Sequence, residues 1–132
     1  MLTILNGQTD LMRPFATHFV KHGYAVVIVG TVQRRTLLQD IENPEPAIRM
    51  SVERHRRIID WAETRPDFDT TRLGVFGASL GGFNALLLAA LDDRVDVVSP
   101  ALTGGSLASV LIDSDERRIA AAMEEAQAAL SM

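Results

Sequence analysis

Apolar positions along the chain alternate between a strand-like spacing and a helix-like spacing. Short, mostly apolar runs occur at Leu2–Leu5, Tyr24–Val29, Leu73–Phe76 and Val95–Val98. A strand that is apolar on both faces is typical of a parallel sheet covered by helices on both sides. The pattern therefore predicts an α/β fold with about four parallel strands.

Between these runs, apolar residues recur at the three-to-four-residue spacing of amphipathic helices. This spacing predicts helices over Leu11–His22, Ala47–Thr64 and Leu80–Leu91, and a mostly helical segment over Ser106–Met132. The segment Leu80–Leu91 is apolar almost all round, so we expect it to be buried. Alternation of strands and helices implies right-handed crossovers, and a length of 132 residues suits one domain over residues 1–132.

Composition excludes several classes of function. Basic residues are scattered and the net charge is −4, so we expect neither a nucleic-acid partner nor a membrane partner. The absence of cysteine excludes a thiol nucleophile and a thiolate metal site, and it fits a reducing compartment. The N-terminal sequence MLTILNGQTD has none of the features of a secretory signal. These observations together favour a cytoplasmic location.

Ligands of open parallel sheets bind at the carboxyl ends of the strands. Three segments lie there, Asn6–Thr9, Gly30–Arg35 and Gly77–Gly82, and the third carries the clearest chemistry. It reads Gly-Ala-Ser-Leu-Gly-Gly between a predicted strand and a predicted helix, which is the setting of a G-x-S-x-G nucleophile elbow.

The elbow pattern gives each of its residues a physical role. Ser79 is the candidate nucleophile, on a turn sharp enough that we expect a positive φ. Gly77 and Gly81 omit side chains that would collide with neighbouring backbone. The N–H of Leu80 lies at a helix N-terminus, where it can stabilise a developing oxyanion.

Four segments of the chain together resemble the α/β-hydrolase superfamily, in its esterase, dienelactone-hydrolase-like and serine-peptidase-like branches. They are Ile4–Gly7, His22–Val27, Asp69–Gly82 and Asp93–Asp96. The resemblance implies hydrolysis of a small-molecule carboxylic ester, or of an amide, through an acyl-enzyme on Ser79. It also implies that the second oxyanion-hole N–H comes from Gln8, and that no metal or organic cofactor is needed.

In this superfamily the triad follows the chain order Ser, Asp or Glu, then His, but no histidine follows Ser79. Upstream, His22 is interpreted as a helix C-terminal cation and His55 as a core-facing histidine with a hydrogen-bonded ring nitrogen. The pair His18 and His22 has the i, i+4 spacing of a metal chelate, but no third ligand is evident. We therefore expect the nucleophile-bearing portion of an α/β-hydrolase domain, inactive alone because its acid and histidine lie elsewhere.

Other interpretations stay open at this point. Asp113 and Asp115 come in the right order for the catalytic acid, but they are interpreted as caps of a helix beginning near Glu116. An acyltransferase uses the same elbow, and a non-catalytic interaction scaffold keeps the fold without the triad. A nucleotide-binding module would need a phosphate-loop pattern, which the sequence lacks. Open sheet edges in a partial fold predict self-association.

Overall fold

The computed structural model describes residues 9–30 and 45–106, and isolated helical residues at positions 109, 113, 117, 120, 121, 124 and 128. The elements, in chain order, are α1 (Thr9–Lys21), α2 (Glu45–Glu63), β1 (Leu73–Ala78), α3 (Leu80–Leu91) and β2 (Val95–Ala101). The helices agree with the predicted ones to within two residues at each end, because their apolar stripes and their terminating residues are local signals.

Strands β1 and β2 form a parallel pair, with Val75 opposite Val98 and Ala78 opposite Ala101. The α3 helix connects them, so the predicted α/β class is confirmed. Both strands begin where the sequence predicts and continue further toward their carboxyl ends. Among the described residues the sheet has these two strands.

The segment Tyr24–Val29, predicted as a strand, is not a regular strand among the described residues. An isolated bridge occurs at Ile28, and the ring of Tyr24 is exposed. The predicted strand Leu2–Leu5 lies outside the described residues, as does the oxyanion candidate Gln8. A strand is defined by hydrogen bonds to its neighbours, and an apolar run does not specify those neighbours.

Helices cover both faces of the β1–β2 pair, as the apolar strands predict. On one face a core cluster joins α2, α3 and the sheet through Val52, Ile59, Val75, Ala85 and Leu88. On the other face Met12 of α1 packs with Ala78, and the ring of Phe15 stacks on Phe76 at 5.1 Å between centroids. None of the helices that the structure describes is long and apolar enough to cross a membrane.

A buried carboxylate fixes the amino-terminal end of β2. Asp92 is 4% exposed and accepts hydrogen bonds from Arg94 at 2.7 and 2.8 Å and from Arg56 at 3.2 Å. The hydrogen bonds from Arg94 are the main reason why the pKa of Asp92 lies far below its usual range. Arg94 also donates to Asp60 and Glu63 of α2. This network holds the sheet end opposite the elbow, so it is structural.

Candidate active site

Ser79 lies between β1 and α3 with φ 54° and ψ −125°. The predicted positive φ is confirmed. A non-glycine residue in this region of backbone conformation is strained, so the surrounding contacts have to hold the turn.

Two glycines permit the tight turn, and they do so by different contacts. A Cβ at Gly77 would lie 2.8 Å from the backbone nitrogen of Gly82 and nearer still to the carbonyl group of Gly81. A Cβ at Gly82 would lie 2.9 Å from the Cβ of Thr103 and 3.4 Å from the carbonyl oxygen of Ala101. Sequence reasoning did not assign this second role, although the Gly-Gly doublet was a signal for it.

Hydrogen bonds fix the backbone of Ser79, and its hydroxyl does not cap the following helix. The Ser79 N–H donates to the carbonyl oxygen of Ala101 at 2.8 Å, and the Ser79 carbonyl accepts from the Gly82 N–H at 2.9 Å. A serine that precedes a helix usually caps it with its side chain, yet Ser79 makes no such capping hydrogen bond. The hydroxyl is therefore not used to cap the N-terminus of α3.

The N–H of Leu80 is the first of α3, so helix geometry gives it no acceptor within the helix. Together with the partial positive charge at the helix N-terminus, it can stabilise an anion that forms beside Ser79. The oxyanion role of Leu80 stays a prediction.

The histidines have local, structural partners. His55 is 5% exposed, and its Nδ1 lies 2.6 Å from the carbonyl oxygen of Ser51, so the predicted core position is confirmed. Burial is the main cause that lowers the pKa of His55. The Nδ1 of His22 lies 2.8 Å from the carbonyl oxygen of His18. For His55 and His22, the carbonyl partner of Nδ1 thus lies one turn earlier on the same helix.

Of the two aspartates considered for the catalytic acid, one lies among the described residues. Asp113 is helical and exposed, and Asp115 lies outside the described residues. Within the described ranges, no group of three or more His, Asp or Glu residues is arranged to hold a metal ion.

The loop after β2 lies beside the elbow. Leu102, the first residue of this loop, has φ 51° and is 90% exposed. The Oγ1 of Thr103 is buried without a hydrogen-bond partner among the described residues. Neither property was predicted from the sequence.

Two curated relatives align with part of this chain. Two proteins of Mycobacterium tuberculosis, from strains CDC 1551 / Oshkosh and ATCC 25618 / H37Rv, are each 32% identical over 109 aligned residues and are named phosphoribosyl transferase. The alignment covers 71% of this chain and 24% of each relative, so the chain spans about a quarter of the length of the curated relatives it matches. No solved structure matches.

The family model of the X-Pro dipeptidyl-peptidase (S15 family) matches residues 5–121. This range contains both strands, all three described helices and the whole elbow around Ser79. The chain therefore belongs to the X-Pro dipeptidyl-peptidase (S15) family, a serine peptidase family of the α/β-hydrolase clan.

Proposed function

We propose that Ser79 is the nucleophile of an acyl-transfer reaction that hydrolyses carboxylic esters and, with a suitable proton donor, amides. The observation that carries the proposal is the backbone conformation of Ser79. Its φ is 54°, and its side chain makes no capping hydrogen bond at the start of α3. Strain of this kind is concentrated at functional sites, and here it separates the hydroxyl from the helix N–H groups that a serine normally caps.

In the proposed reaction, the Oγ of Ser79 attacks the carbonyl carbon and the carbonyl oxygen becomes an oxyanion. The N–H of Leu80 donates to that oxyanion, and the N–H of Gln8 is proposed as the second donor. An oxyanion-hole donor of this kind contributes about 3–4 kcal/mol to stabilisation of the transition state. Collapse of the intermediate expels the alcohol or amine and leaves an acyl group on Ser79, which water then removes.

A base has to remove the proton of the Ser79 hydroxyl, because an un-ionised serine is a weak nucleophile at neutral pH. The sequence has three histidines, all before Ser79, and the Nδ1 atoms of His22 and His55 contact carbonyl groups of their own helices. We therefore expect little turnover by the isolated chain. Esters with good leaving groups are its best substrates, since an amine must be protonated before it can leave.

The phosphoribosyl transferase name of the curated relatives does not define the reaction at Ser79. The segment Gly77–Gly82 has the pattern of a nucleophile elbow, which serves acyl transfer. The aligned part is also a minority of each relative.

Added imidazole can act as a base toward the Ser79 hydroxyl and so test the proposal. The chain is incubated with a fluorophosphonate at several imidazole concentrations, and the adduct is followed by intact mass and located by peptide mapping. We expect one adduct, on Ser79, whose rate of formation rises with imidazole concentration. Ser79→Ala removes the adduct, whereas Ser99→Ala, at an exposed serine of β2, retains it.

Two results would overturn the proposal. One is the absence of a Ser79 adduct at every imidazole concentration in a chain whose circular dichroism shows it to be folded. The other is an adduct distributed equally over several serines in native and urea-unfolded protein, because equal reactivity would show that the elbow does not activate Ser79.

A further inference from the structure

The two strands end in a matched pair of strained residues. Ala78 and Ala101 are the last register partners of β1 and β2. The residue that follows each strand has a positive φ, which is 54° at Ser79 and 51° at Leu102. These are the two non-glycine residues with positive φ in the described part of the chain. Both residues therefore lie at the carboxyl edge of the sheet, on neighbouring strands.

Contacts on either side of Leu102 hold it in this conformation. The carbonyl of the preceding Ala101 accepts the N–H of Ser79 at 2.8 Å. The following Thr103 packs so closely on Gly82 that a Cβ there would lie 2.9 Å away. The loop backbone is thus attached to the elbow at two points, one before Leu102 and one after it.

Packing of the Leu102 side chain does not compensate for the strain. A left-handed conformation costs an ordinary residue stability, and Leu102 is 90% exposed, the most exposed of the large apolar side chains in the described residues. A polar residue or a glycine at this position would give a more stable fold than leucine does. An apolar side chain held in a strained, exposed position beside a candidate nucleophile indicates a contact with a ligand.

We infer that Leu102 forms an apolar wall of the subsite that receives the acyl group carried by Ser79, and that it selects acyl groups with an aliphatic chain over acetyl. This inference rests on the proposed function. The acyl carbon is bound to the Oγ of Ser79 and its oxygen faces the N–H of Leu80, so the rest of the acyl group extends along the sheet edge. On the β2 side of that edge, the first side chain is that of Leu102.

The test compares two esters with the same leaving group. Acylation of Ser79 by p-nitrophenyl acetate and by p-nitrophenyl hexanoate is measured by peptide-mapping mass spectrometry at a fixed imidazole concentration. Each methylene group buried against an apolar wall gives a factor of about 4 in rate. We expect native protein to favour hexanoate and Leu102→Ala to lower the hexanoate-to-acetate ratio by about 5-fold or more.

Matched variants separate this role from a general effect of apolar surface. Val97→Ala shortens an exposed apolar side chain within β2, 63% exposed, and should keep the native ratio. Leu102→Gly relieves the positive-φ strain, so it should raise the melting temperature while it lowers the ratio as Leu102→Ala does.

The outcomes distinguish the two proposals. If Ser79 is acylated by both esters but neither Leu102 variant changes the ratio, the acyl-subsite inference is wrong and the nucleophile proposal stands. If the hexanoate-to-acetate ratio falls equally in Val97→Ala, the specific role of Leu102 is also wrong. If neither ester acylates Ser79 in folded native protein, both proposals fail.

Discussion

The backbone N–H of Ser79 donates to the carbonyl oxygen of Ala101, at 2.8 Å. This bond joins the turn after β1 to the last residue of β2, so the strained serine is held by a strand that is adjacent in space and distant in sequence. Gly82 lies against the same strand end, since a Cβ added at Gly82 would lie 3.4 Å from the carbonyl oxygen of Ala101. The elbow and the end of β2 therefore form one structural unit.

Gly82→Ala tests this unit through packing. The added methyl group would lie 2.9 Å from the Cβ of Thr103, so the loop after β2 has to move. We expect a loss of about 1–3 kcal/mol in the free energy of unfolding, the usual cost of overpacking, measured by urea denaturation. Gly105→Ala is the matched control, because an added Cβ there meets no atom within 4 Å. Equal stability of the two variants would show that the Gly82–Thr103 contact is not rigid.

Asp92→Asn tests the network at the opposite end of the sheet. It keeps the shape of a buried side chain but removes the charge that Arg94 and Arg56 contact. We expect a loss of about 2–3 kcal/mol in the free energy of unfolding, because charged hydrogen-bond partners are left incompletely satisfied. Asp67→Asn, in the exposed pair with Arg65, should change stability little.

The pH dependence of the same network has a definite sign. The pKa of Asp92 is lower in the folded than in the unfolded chain, so its stabilising contribution is present above the ordinary pKa of 3.8. This contribution is lost as the pH falls below that value, because the unfolded chain then binds the proton more readily. The acid-induced loss of stability below pH 3.8 should be smaller in Asp92→Asn than in native protein.

His55 should give a second pH dependence, in a higher range. Burial lowers the pKa of His55 below its ordinary 6.5, so the folded chain prefers the neutral ring. Stability is therefore full above pH 6.5 and decreases as the pH falls through the lowered folded-state value, because the unfolded state binds more protons. In His55→Leu, urea denaturation at successive pH values should show a weaker dependence below 6.5. An unaltered slope in His55→Leu would contradict the buried neutral histidine.

Those parts of the fold that depend on local pattern were predictable. The helices followed from apolar spacing, and the elbow at Ser79 followed from glycines within two residues of it. The contacts of Gly82 with Thr103 and of Ser79 with Ala101 join residues about twenty positions apart, and no local signal specifies them. The positive φ of Leu102 was also not predictable, because leucine does not favour that conformation.

Association between copies tests the predicted open edge. Among the described residues, β2 is paired on one side only, with β1, and Val97 on this strand is 63% exposed. An unpaired strand edge invites pairing with another chain, and a lysine on such a strand opposes it. We expect light scattering to show concentration-dependent association that Val97→Lys reduces. A native chain that stays monomeric at every concentration measured would show that this edge is not an association surface.

A crystal structure of the chain after reaction with a fluorophosphonate in imidazole tests most directly whether Ser79 is the nucleophile of an oxyanion-stabilising elbow. We expect phosphorus bonded to the Oγ of Ser79, and a phosphoryl oxygen about 3 Å from the backbone nitrogen of Leu80, the distance of an oxyanion-hole hydrogen bond. Phosphorus on a different residue, or a phosphoryl oxygen directed to solvent away from the start of α3, would contradict this assignment.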